Sequence, residues 1–112
     1  MVKINSFRFG SLTINNKTYE NDMIVHWDGE LVPRESDHNF SKGDLIDLLI
    51  KGPDTIVIGT GTAGCVKIEK AAENFARLKN IDLIVKKTSE AIEEFNKLSK
   101  EKKVIAVIHV TC

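Results

Sequence analysis

Short runs of β-forming residues separated by turn residues fill the first third of the chain, and from Ser41 onward the apolar spacing becomes helical. Leu12-Thr13-Ile14 and Lys17-Thr18-Tyr19 flank Asn15-Asn16. Met23-Ile24-Val25-His26-Trp27 meets Glu30-Leu31-Val32 across Asp28-Gly29, a pair suited to a type I′ turn. Two hairpins or a meander are predicted. Pro33 has no amide to donate, so it must end that ladder or lie at a sheet edge.

Ser41 is the expected N-cap of the first helix, with Asp44 three residues on and an apolar stripe of Leu45, Ile46, Leu48 and Leu49 running to Gly52-Pro53. Beyond it the pattern alternates. Thr55-Ile56-Val57-Ile58 predicts a buried strand, and Ala71, Ala72, Phe75 and Leu78 predict the inner face of a helix. A strand over 81–85 follows, then a helix capped by Thr88 with Ala91, Ile92, Phe95 and Leu98 inward, then a strand Val104-Ile105-Ala106-Val107-Ile108. The order βαβαβ implies three parallel strands with right-handed crossovers. Since each crossover helix has one apolar stripe, both are expected on one face of the strands, with the N-terminal antiparallel strands extending or covering the sheet elsewhere.

Composition narrows the class without naming a reaction. The 112 residues are expected to form a single domain over 1–112, and 42% apolar with 29% charged residues is the balance of a globular protein. Sixteen basic residues offset sixteen acidic ones, so no excess charge draws the chain to nucleic acid or to acidic lipid. No apolar run has the length of a signal peptide or a membrane span, which places the expected location in the cytoplasm. Cys65 and Cys112 are then expected as free thiols.

The glycine-rich stretch Gly59-Thr60-Gly61-Thr62-Ala63-Gly64 has the spacing G-x-G-x-x-G directly after a buried strand, where a dinucleotide fingerprint would lie. Three features oppose that reading. The next strand ends Val85-Lys86-Lys87-Thr88, without the acid that would hold a ribose. Val66 and Ile68 alternate with Lys67, so the chain leaves the loop extended and the helix amides start too late to cradle a phosphate. A domain of this size also leaves little room for a dinucleotide, a substrate and a core. No Gly-Lys-Ser/Thr follows, so it is not a P-loop. Two readings stay open: a turn required by backbone geometry, or one wall of a pocket for a small anion or metabolite.

Candidate ligand-binding residues are Gly59, Thr60, Gly61, Thr62 and Cys65, with Arg34 and His38 from the polar stretch Arg34-Glu35-Ser36-Asp37-His38. His109 and Cys112 follow the last strand, but three positions apart in an extended segment they are expected on opposite faces. A carboxylate at the end of the chain would also raise the Cys112 thiol pKa. His26 and His38 have no partner at helical or ribbon spacing, so no metal site is expected, nor any cofactor. Trp27 is expected in the core.

Several segments together resemble one family: Phe9-Gly10 with Tyr19 and Asp22, Arg34 and His38, Ile58-Gly59-Thr60-Gly61, then Thr88, Ala91, Asn96 and Leu98, and the ending His109-Val110-Thr111-Cys112. They resemble the uncharacterised α/β domain family shared by adipogenesis-associated domain-containing proteins and mitochondrial complex I assembly factor 3. The resemblance runs almost end to end and implies an α/β fold, a three-layer domain with a mixed central sheet and a separate small antiparallel element. It supplies no catalytic residue to carry over. Members often have a proline-containing segment after the glycine loop, whereas Cys65-Val66-Lys67-Ile68 has none, in keeping with an extended exit.

The leading functional expectation is a binding or assembly module that presents a pocket or patch at the glycine loop to a protein partner or a small anionic ligand. Its basis is the lack of a convergent nucleophile, base and orienting group. The alternative is a small enzyme acting on an anionic metabolite at that loop, with Cys65, His38 or Arg34 in acting roles.

Overall fold

The computed structural model describes every residue from Met1 to Cys112. Three strands, β1 (Ile4–Arg8), β2 (Ser11–Ile14) and β3 (Lys17–Tyr19), form an antiparallel sheet of their own. Asn15 and Asn16 take φ of 49° and 67°, the left-handed pair that the β2–β3 turn requires. The next hairpin, β4 (Asp22–His26) and β5 (Leu31–Arg34), differs from the two-residue turn its Asp28-Gly29 predicts. The His26 amide donates to the Glu30 carbonyl, so the connection is the three residues Trp27 to Gly29, with Gly29 at φ 97°. Pro33 lies in β5, which is an edge strand as its missing amide demands.

A two-residue strand β6 (Asn39–Phe40) leads into α1 (Lys42–Leu49). The capping box is present in full: Asp44 N–H donates to Ser41 Oγ, and Ser41 N–H donates back to the Asp44 carboxylate. Then come β7 (Thr55–Gly59), β8 (Lys67–Ile68), α2 (Lys70–Leu78), β9 (Asp82–Lys86), α3 (Thr88–Leu98) and β10 (Val104–Ile108). The main sheet has the order β5-β4-β10-β7-β9, with β10, β7 and β9 parallel and the β4–β5 hairpin antiparallel to them.

Helices occupy both faces of this sheet, not one. From β7 the chain moves outward to β9 through α2, and from β9 it returns across β7 to β10 through α3. Two right-handed crossovers that travel in opposite directions must lie on opposite faces. Accordingly Ile56, Ile58, Ile105 and Val107 point to α1 and α2, while Val57, Val104, Ala106 and Ile108 point to α3 and the small sheet. The α2 face is also turned from the expected one: Ala72 and Ala76 are buried, and Leu78 stands in solvent. In α3 the expected face is kept, with Ala91, Ile92 and Phe95 buried and Leu98 packed at its margin. The fully buried Phe95 alone contributes roughly 1.5–3 kcal/mol over an exposed ring.

The small sheet is tied to this layer by Asn96 of α3, which accepts from the Ile4 amide at 2.9 Å and donates to the Ile4 carbonyl at 2.8 Å. Asn96→Ala strips both partners from a buried main-chain segment, and a loss of about 1–3 kcal/mol is expected in urea unfolding. An unchanged midpoint would mean that β1 is held without this clamp.

Candidate functional site

In an open sheet the connections from neighbouring parallel strands diverge to opposite faces and leave a crevice at their carboxyl ends. Here that place lies between β7 and β9, and the glycine loop fills it. Thr60 donates its amide and its hydroxyl to the Lys86 carbonyl, at 2.9 and 3.1 Å. The Gly61 amide donates to Thr88 Oγ1, whose own proton goes to the His109 carbonyl at 2.7 Å. Thr88 is therefore not the expected cap of α3, a position held by Lys87, but a buried staple between the loop and the final segment.

Two of the glycines are required by close approach. A Cβ on Gly59 would lie within 3.3 Å of Thr88, Ile108 and Ala91, so this glycine lets α3 sit on the end of β7. Gly61 has φ of 102°, and a Cβ there would overlap the main chain of Cys112 and come within 2.9 Å of the His109 ring. The final segment thus crosses directly over the loop. Thr62 N–H donates to the Thr111 carbonyl, and the Ala63 and Cys65 amides both donate to the Cys112 carbonyl. Six of the seven amides from Thr60 to Val66 end on acceptors of the chain itself. The chain leaves the loop extended, as β8, and α2 starts only at Lys70, so no helix N-terminus faces the glycines.

The path of the final segment is set by Asp22. Continuing the β10–β4 register beyond Ile108 and Met23 puts His109 opposite Asp22. The Asp22 carboxylate accepts from His109 Nδ1 at 2.7 Å and from the Val110 amide at 3.0 Å, and both side chains are buried. With Nδ1 held at the carboxylate, Nε2 is the nitrogen left facing Thr111 Oγ1, 3.1 Å away.

His109 and Cys112 do not point apart as the strand spacing predicts, because the strand ends at Ile108 and the last four residues bend over Gly61. His38 joins them from a distant part of the chain. The Lys67 amide donates to the His38 carbonyl, and β6 pairs in parallel with β8, so the exit of the glycine loop holds His38 beside the final segment. Its Nε2 lies 3.4 Å from Cys112 Sγ, and its ring meets that of His109 edge-on with centroids 5.2 Å apart. The ligand atoms of His38, His109 and Cys112 all lie within 4.8 Å of one another. The expected absence of convergent metal ligands rested on local spacing, and this convergence spans 74 positions.

Cys65 and Cys112 are free thiols and neighbours. The hydrogen bond with the Cys65 sulfur, and then partial burial, push the Cys112 thiol above its ordinary pKa. Arg34 does not face the loop. Its guanidinium donates to the Asn39 carbonyl at 3.1 Å and lies 3.5 Å from the Asp44 carboxylate, bracing the start of α1. His26 is engaged with the Glu30 carbonyl, and Trp27 packs at the edge of the core under Lys51.

A mixed five-stranded sheet between helices, with an added antiparallel sheet and a final segment folded over a glycine loop, defines the class of domain. The family model described as "Protein of unknown function (DUF498/DUF598)" matches residues 4–109, and the chain belongs to that family. Among solved structures it is similar to the conserved hypothetical protein PH1505 from Pyrococcus horikoshii OT3, with 26% identity and a TM-score of 0.88 over 98% of this chain and 99% of that one. It is similar to a protein called MT938, with 31% identity and a TM-score of 0.83 over the whole of both chains. A Bordetella pertussis protein described as a Mth938-like domain shares the fold at 13% identity, with a TM-score of 0.64 over 96% of this chain and 85% of that one. No helix is long and apolar enough to cross a membrane.

Gly61→Val combines a strained φ with overlap at Cys112, so a loss of roughly 1–3 kcal/mol is expected. Fast hydrogen exchange at the Ala63 and Cys65 amides should accompany it, and unaltered protection there would contradict the seating described. Alkylation of Cys112 by iodoacetamide should be slow at neutral pH and rise only above the ordinary thiol range, because a raised pKa leaves little thiolate. Cys65→Ser should move that profile down; a normal wild-type profile would refute the coupling.

Proposed function

We propose that this chain is a cytoplasmic binding or assembly module whose working surface is the rim formed by the glycine loop, His38 and the final segment. The observation that carries the reading is the saturation of the loop. With six of seven amides from Thr60 to Val66 already bonded within the chain, the loop offers a fixed shape to a protein partner in place of a nest for an anion. The adjoining groove, about 260 Å³, is bordered by Glu20 and Glu35 as well as by Arg34, so carboxylates outnumber the one guanidinium that would meet an anionic ligand. It also falls below the roughly 300–1,000 Å³ of mostly apolar small-molecule sites.

Within the rim, Gly59, Thr60 and Gly61 are buried supports, while Thr62, Ala63 and Gly64 stand in solvent beside His38 and the half-buried Cys65 and Cys112. Arg34 acts one step removed, by holding the segment that carries His38. The competing reading, a small enzyme acting on an anionic metabolite, draws on the 3.4 Å contact of Cys112 with His38. The raised Cys112 pKa weighs against a thiolate nucleophile.

Thermal-shift measurements with ATP, NADP, inorganic phosphate and citrate, paired with affinity capture, separate the two. The module reading predicts no shift with any of these anions. It also predicts a partner captured by the native chain and lost by Ala63→Arg, which leaves every loop hydrogen bond in place and keeps the melting temperature. A shift of several degrees with one anion, together with capture indifferent to Ala63→Arg, would overturn it.

A further inference from the structure

We propose that His109, His38 and Cys112 form a binding site for a divalent zinc-like cation at this rim, a site independent of any protein partner. The donor set is two imidazole nitrogens and one sulfur, the chemistry that borderline-soft cations select. Zinc bonds of about 2.0–2.1 Å to nitrogen and 2.3 Å to sulfur put tetrahedral nitrogen and sulfur donors about 3.5 Å apart. His38 Nε2 and Cys112 Sγ already stand at 3.4 Å. The widest separation in the set is within 4.8 Å, so closing it takes about an ångström of movement. The exposed His38 and the half-buried Cys112 can supply that movement, while His109 stays fixed in the core.

A second observation points the same way. The buried Asp22 carboxylate holds His109 Nδ1, the arrangement in which an outer carboxylate orients a metal-binding histidine. Asp22 also places a negative charge beside the cation. It takes a second hydrogen bond from the Val110 amide, which fixes the carboxylate plane. On binding, Nε2 of His109 exchanges the Thr111 hydroxyl for the metal, and the Cys112 thiol releases its proton to the buffer. The fourth position is left to water. Cys65 lies beside Cys112 but outside the set of three mutually close donors.

The test uses the full reduced chain titrated with Co²⁺ alone, followed by Zn²⁺. One equivalent of Co²⁺ should bind, with thiolate-to-cobalt charge transfer and the visible bands of a tetrahedral ion, and Zn²⁺ should displace it. Cys112→Ser should abolish the charge-transfer band, and Cys65→Ser should keep it. His38→Ala should weaken binding by about tenfold or more without affecting folding, since its one side-chain hydrogen bond is to Cys112. Asp22→Asn turns an amide donor toward Nδ1 and should weaken binding about 10–100-fold. Zn²⁺ should raise the melting temperature of the native chain and of Cys65→Ser, and raise it less or not at all in the other three variants. Substoichiometric cobalt, a charge-transfer band that survives Cys112→Ser, or affinity indifferent to His38→Ala would overturn the site.

Discussion

A carboxylate buried as deeply as Asp22 has to find partners, and it finds both of them in the segment that follows the last strand. Removing one member of such a buried pair typically costs several kcal/mol, because the other is left without water or partner. The path of residues 109–112 follows from this one constraint. Once the His109 ring and the Val110 amide are held at Asp22, the Val110 carbonyl accepts from Gly10 at the tip of the small sheet. The carbonyls of Thr111 and Cys112 meet the loop amides. The glycine loop, the final segment and the β6–β8 pair are thereby parts of one structure.

Much of the fold is legible in local chemistry. The Asn15-Asn16 turn, the Ser41 capping box, the edge placement of Pro33 and the three parallel strands all rest on interactions within a few residues or on simple periodicity. What is not legible depends on partners far away. The strands β6 and β8 have two residues each and no pattern of their own, existing only because each completes the other. β1 alternates too weakly to be singled out, being buried at Ile4 and mostly open beyond it. The split of the helices between two faces follows from crossover handedness, which applies only once the strand order is known.

The site divides along the same line. The glycines stand out in the sequence, but Gly59 admits α3 and Gly61 the final segment, which composition alone cannot distinguish from a ligand-binding role. Cys65 and His38 lie beside the final segment, whereas Arg34 turns to α1 because Asp44, kept there by the capping box, attracts it. Asp22 carries the only available signal for the buried pair, an acid opening the apolar run Met23-Ile24-Val25. Its meaning becomes clear when the antiparallel register with β10 sets it against His109.

The Asp22 carboxylate, by holding Nδ1, aims the other nitrogen of a buried imidazole at the rim. Long-range proton–nitrogen NMR correlation of the histidine rings measures this directly. His109 is expected to carry a proton on Nδ1 that is slow to exchange with solvent. A proton on Nε2 with a bare Nδ1, or rapid averaging between the two forms, would contradict it.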